Sequence, residues 1–179
     1  MNRKPSCGST KSRLLSVLRH RAQAAACIEG SGSFPDISGV VQFYQVSRGV
    51  LVYAEVRGLP KGSQPCRQRI FGFHIHKGTD CGGDREDPFA NAMSHYDQNG
   101  CEHPGHAGDL PPLFGNDGAA LSVFLTSRFS VEEIIGKTVI IHDHPDDFTT
   151  QPAGNAGTKI ACGVIRKTNG SCLPACSEI

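Results

Sequence analysis

The sequence predicts an all-β fold, and three observations carry that prediction. Seven short segments of alternating or β-branched apolar residues recur between turn-forming residues. Glycine (21) and proline (11) are abundant, tryptophan is absent and aromatic residues make up 7%, a composition of turns and long loops rather than packed long helices. The single helix-start signal is brief: Ser130 with Glu133 three residues on has the form of a capping box, and Gly136 ends the turn it opens.

Taken in order, strands are expected over residues 24–29, 39–45, 49–57, 69–76, 119–125, 137–142 and 159–166. Val46, Ser47 and Arg48 would turn the second into the third as a hairpin, with Gly49 relieving the turn. In the fourth segment, strand alternation places Phe71, Phe73 and Ile75 on one face and His74 and His76 on the other. Residues 77–118 and 143–158 fit neither strand nor helix and are read as two long loops. Loops of that length inside a compact domain are usually functional or disordered. Histidine decides between these, because seven of the eight histidines lie in the two loops or at their edges.

At 179 residues the chain can bury one core. The expected organisation is a basic, disordered extension over 1–21, a folded domain over 22–168 and a tail over 169–179. A net charge of +1, from 18 Lys and Arg against 17 Asp and Glu, supplies no bulk field for nucleic acid. No apolar run approaches the roughly 18 to 20 residues of a membrane span. The apolar patch at 14–18 is too short for a secretory signal and ends in Arg19, His20 and Arg21, so the reading favours cytoplasm over secretion. Eight cysteines are many for a reducing compartment but lack the even spacing of a disulfide scaffold, which leaves the compartment open.

Two imidazoles at His74 and His76 would sit about 7 Å apart at the backbone, close enough to converge on one ion. Alone, the pair is equally well read as surface histidines on a strand. His95, His103, His106 and Asp109 then fall within fifteen residues of Gly- and Pro-rich loop and complete a tetrahedral zinc set. His142 ends the strand at 137–142 and can reach the first pair from across a sheet.

These residues stand in an order that resembles the copper-zinc superoxide dismutase family over about residues 28–166. The motifs are Gly72-Phe73-His74-Ile75-His76, Ser94-His95-Tyr96, His103-Pro104-Gly105-His106-Ala107-Gly108-Asp109-Leu110, Ile141-His142, Asp146-Asp147, and Gly154-Asn155-Ala156-Gly157-Thr158-Lys159-Ile160-Ala161-Cys162-Gly163-Val164. The resemblance implies an immunoglobulin-like Greek-key β-sandwich or flattened barrel with two long functional loops. It implies copper on His74, His76, His95 and His142, and zinc on His95, His103, His106 and Asp109, with His95 shared. Asp146 matches the carboxylate that hydrogen-bonds one ligand histidine on each side, and Cys81 and Cys162 match the family's disulfide. Lys159 stands where the family has a channel arginine, keeping the charge but losing the planar fork. The activity implied is conversion of superoxide to oxygen and hydrogen peroxide, with His95 and Lys159 as the catalytic residues and homodimer formation left open.

The chain departs from the familiar eukaryotic members in the two-residue linker between His103 and His106. This shorter linker weakens the zinc assignment relative to copper and leaves a copper-only site as an alternative. Cys66 and Cys101 could pair, with a free buried thiol the preferred reading, and Cys172 and Cys176 carry no assigned chemistry. The rival functions are a non-catalytic copper-binding or copper-delivery module on the same fold, and a zinc-stabilised structural domain. Retention of all four copper ligands argues against the first.

Overall fold

The computed structural model describes residues 15–62 and 69–168. Cys66, Cys172 and Cys176, most of the basic extension and the expected tail lie outside the described residues. Ten strands follow in chain order: β1 Ala24–Gly30, β2 Ser38–Val46, β3 Gly49–Arg57, β4 Ile70–Phe71, β5 Phe73–His76, β6 Leu113–Phe114, β7 Ala120–Thr126, β8 Thr138–His142, β9 Lys159–Val164 and β10 Arg166–Lys167.

Eight of them form one antiparallel sheet in the order β5-β8-β9-β1-β2-β3-β7, with β10 also pairing β1, while β4 and β6 make a separate ladder. The alternation read in the sequence is what curls the sheet. Val50, Val52, Ala54 and Val56 of β3 share one buried cluster with Ala24, Ala26 and Ile28 of β1. Phe73 and Ile75 of β5, at the far edge, belong to that same cluster. One sheet can bury the inner face of strands so far apart only by wrapping around it.

The hairpin between β2 and β3 is tighter than expected, with Val46 opposite Gly49 and only Ser47 and Arg48 in the turn. The capping box is present: the amide and hydroxyl of Ser130 donate to Glu133 Oε2 at 2.6 and 2.7 Å and open the short helix Val131–Ile134. Residues 15–19 are helical, and Val17 and Leu18 pack against Ala22, Tyr44 and Leu51. This end of the basic extension is ordered because it covers that apolar patch.

Two expected strands are each divided. The segment at 69–76 breaks at Gly72 into β4, which pairs β6, and β5, which pairs β8. The reason is steric: a Cβ on Gly72 would lie 2.9 Å from Ala156 Cβ and 3.2 Å from His142 Cβ, so only glycine lets the chain pass here and change partners. The segment at 159–166 divides at Ile165 into β9 and β10. Nor are residues 77–118 wholly irregular, since they include the 3₁₀ turn Ala90–Ala92 and β6.

The first loop is fastened to the outer face of the sheet. Phe89 and Ala92 of the loop pack with Ile140 of β8 and Cys162 of β9. Beside them Cys81 and Cys162 form a disulfide that closes a sequence separation of 81 residues. Cys101 keeps a free thiol, but an exposed one, because it sits in a surface turn where its amide donates to Asp97 Oδ2 at 2.8 Å. A loop as long as the one closed by Cys81–Cys162 stabilises by up to about 4 to 5 kcal/mol through the unfolded chain. Cys81→Ser is therefore expected to lower the denaturant midpoint of the fully metal-loaded protein, read by urea unfolding; an unchanged midpoint would show that the bridge adds nothing.

Candidate metal centre

The site starts from a free strand edge. β5 pairs β8 on one side, and its other edge is taken by the long loop: Tyr96 N donates to Ile75 O at 2.8 Å, Ile75 N to Gly108 O at 2.9 Å and Lys77 N to Ser94 O at 3.0 Å. This pairing sets His95 opposite His76 and Asp109 opposite His74. From the other side, His142 N donates to Gly72 O at 2.9 Å, and a bulge between Ile141 and His142 re-aims the end of β8. The alternative of two surface histidines on a strand is not what the fold shows. All four residues are buried, and the histidine face is covered by the loop.

Two cages result. His74, His76, His95 and His142 form one, and His95, His103, His106 and Asp109 the other, with the candidate ligand atoms of each group within 4.8 Å of one another. Tetrahedral ligands bonded at 2.0–2.1 Å stand about 3.3 Å apart. Here His76 Nε2 and His142 Nε2 are 3.3 Å apart, and His103 Nδ1 and His106 Nδ1 each lie 3.2 Å from Asp109 Oδ2. The short linker between His103 and His106 thus does not prevent closure of the second cage. The cis peptide His103–Pro104 lies within it.

The outward nitrogen of most rings is tied down. His74 Nε2 and His103 Nε2 bond the two oxygens of Asp146 at 2.8 and 2.9 Å, and His76 Nδ1 donates to Met93 O at 2.8 Å. His142 Nδ1 donates to Gly157 O at 3.3 Å. Such contacts fix which nitrogen of each ring faces inward. Donation from Nδ1 leaves the neutral His76 and His142 rings with unprotonated Nε2 atoms, so two lone pairs face each other across 3.3 Å. His74 Nδ1, His95 Nε2 and His103 Nδ1 are buried with no hydrogen-bond partner. Lone pairs of this kind call for a cation, and nitrogen-rich and His₃Asp sets suit copper and zinc respectively.

Electrostatics prepare both cages. Burial pulls the pKa of His74 and His76 below the ordinary imidazole value and that of His142 down to about 3, which keeps the rings neutral as metal binding requires. Burial alone would raise Asp109, but the His95 hydrogen bond and the neighbouring imidazoles outweigh it and hold the carboxyl at about 2. For Asp146 burial is likewise overcome, by the bonds from His74, Phe148 N and His103, and its pKa falls. Gly154 makes that carboxylate accessible to both rings: its φ is +65°, and a Cβ would run into Asp146 Oδ1 and lie 2.7 Å from His103 Nε2.

Lys159 lies in a cleft with His76, His95 and His142. Its Nζ donates to Asp87 Oδ2 at 2.6 Å and to Phe89 O at 3.2 Å. The expected freely attracting charge is therefore met by a carboxylate. Sequence reasoning missed Asp87 and also Arg128, whose Nη1 lies 3.0, 3.1 and 3.2 Å from the carbonyls of Pro104, His106 and Asp109. No local pattern marks either residue, because each acts across a long stretch of chain.

Sheet and site together define an all-β metalloprotein with two adjacent cages that share one imidazole. The chain belongs to the copper/zinc superoxide dismutase family, whose profile matches residues 37–165. It is 36% identical over 149 residues to a copper-zinc superoxide dismutase of Legionella pneumophila, covering 79% of this chain and 85% of that protein. A second such enzyme, of Aquifex aeolicus, is 31% identical over 146 residues, covering 73% and 80%. Superoxide dismutase A of Xenopus laevis is 31% identical over 159 residues, covering 80% and 96%.

Arg128 gathers the carbonyls of the segment that carries His106 and Asp109. Outer groups that orient metal ligands typically account for about 10- to 100-fold in affinity. Arg128→Met is expected to weaken zinc retention by about tenfold in competition with a chromophoric chelator, with a smaller change in copper retention.

Proposed function

We propose that copper is held by His74 Nδ1, His76 Nε2, His95 Nε2 and His142 Nε2, and zinc by His95 Nδ1, His103 Nδ1, His106 Nδ1 and Asp109. On this reading the protein converts two superoxide anions and two protons into oxygen and hydrogen peroxide. The curled sheet is then the flattened Greek-key barrel of the family, with residues 77–118 and 143–158 as its two functional loops. One observation carries the assignment: the buried His95 ring sends Nδ1 to Asp109 at 2.7 Å and leaves Nε2 unpartnered beside His74, His76 and His142.

Bound copper supplies reversible one-electron chemistry, and zinc, which has none, organises its ligands. The protein's own groups do the rest. With no protein partner on Nε2, His95 would pass a proton held there, once that nitrogen is free of metal, only to a molecule in the cleft, which assigns it the donor role toward peroxide. Lys159 spends two donors on Asp87 and Phe89, and the third remains for an anion at close range. Asp146 holds His74 and His103 in the ring orientations that turn Nδ1 of each inward.

The test is superoxide decay by stopped-flow absorbance with metal quantitation, before and after chelation. Decay should be lost on chelation and return with copper but not with zinc alone. His95→Ala should retain copper on three imidazoles yet lose about 100-fold or more in rate, in the range of one general acid. Full copper loading without superoxide decay would instead favour the non-catalytic copper-binding module.

A further inference from the structure

The cleft beside His95 is lined by three charged side chains, Lys77, Asp97 and Lys159, with different surroundings. Lys159 is 15% exposed at its side chain and sits 2.6 Å from Asp87 Oδ2. Asp87 is itself fixed: its Oδ1 accepts Phe89 N at 3.1 Å, and its amide donates to Asp84 Oδ1 at 2.8 Å. A unit cation so close to a unit anion presents only a dipole to an approaching ion, and a dipole field fades faster than that of a charge. Lys159 is thus a weak source of long-range attraction.

Lys77 differs. It follows His76, lines the same cleft and is exposed, and its backbone is held by donation to Ser94 O at 3.0 Å. Its ammonium forms no ion pair among the described residues. The remaining charge on the cleft wall is Asp97, whose carboxylate accepts Asn99 N and Cys101 N and opposes anion entry. With Lys159 and Asp87 cancelling, Lys77 is the charge that offsets Asp97.

We propose that Lys77 is the residue that draws superoxide into the cleft, and that Asp87 restricts Lys159 to short-range docking of the anion. This deepens the dismutase reading and rests on it. A unit charge at roughly 8 Å in water changes the local concentration of a univalent anion about twofold, and the change shrinks to about 1.4-fold as salt shortens the Debye length from about 30 Å at 0.01 M to about 8 Å at 0.15 M.

The experiment measures superoxide decay by the copper- and zinc-loaded protein across that salt range for Lys77→Gln, Asp87→Asn and the double variant Asp87→Asn/Lys159→Gln. Lys77→Gln should lower the low-salt rate by about twofold or more and flatten its dependence on salt, and Lys77→Arg should restore both. Asp87→Asn should raise the low-salt rate and steepen the dependence, by releasing the Lys159 charge. The double variant Asp87→Asn/Lys159→Gln, which removes the pair without changing the net charge, should lower the rate by the same factor at every salt. A salt dependence untouched by Lys77→Gln, or flattened by the double variant, overturns the proposal. Azide titration of the copper-loaded variants, followed by absorbance, reads the same charges without turnover. If azide shows this pattern while superoxide does not decay, the dismutase reading fails and the charge assignment stands.

Discussion

The structure depends on a short backbone ladder between the free edge of β5 and the loop that follows it. The amides of Ile75, Lys77 and Tyr96 each find a carbonyl across this seam, and the pairing sets His95 against His76 and Asp109 against His74. Without it the imidazoles would be spread over a strand and some thirty residues of loop. A cage of neutral side chains has little to hold it together before a cation arrives. Here the hydrogen bonds of the main chain do the gathering, and the side chains need only point inward. The disulfide and the small apolar cluster around Phe89 and Ala92 act in the same sense, fixing the start of the loop on the outside of β8 and β9.

Burial gives this arrangement its chemistry. Rings shielded from water give up the charged form, and the lowered pKa values of His74, His76 and His142 follow from that shielding. The carboxylates resist the same pressure because imidazole N–H groups surround them, so Asp109 and Asp146 remain anionic. Neutral nitrogen donors and one anionic oxygen donor therefore coexist within a single buried patch. The unpartnered nitrogens left there would be a defect in an ordinary core, and they are the feature on which the proposed ligand sets rest.

Much of this could be read from the sequence. Alternation located β1, β2, β3, β7 and β8 to within a residue or two at each end; in β7, however, the apolar set Leu121, Val123 and Leu125 is the exposed one. Histidine spacing and family motifs named every residue of the two groups that the fold brings together. What stayed hidden was relational. The break at Gly72 arises from Ala156 and His142, far along the chain. Asp87 meets Lys159 across 72 residues, and Arg128 acts on carbonyls, which every residue carries. Likewise the Met93 and Gly157 carbonyls that orient His76 and His142 leave no side-chain signature.

Asp146 has one further consequence. A single carboxylate holds one ring of each cage, and His95 belongs to both, so neither cage can tighten or relax without moving a group the other uses. Any coupling between two ions bound there would be reciprocal, each changing the affinity for the other by the same factor, so the two cages would load as one unit with two seats.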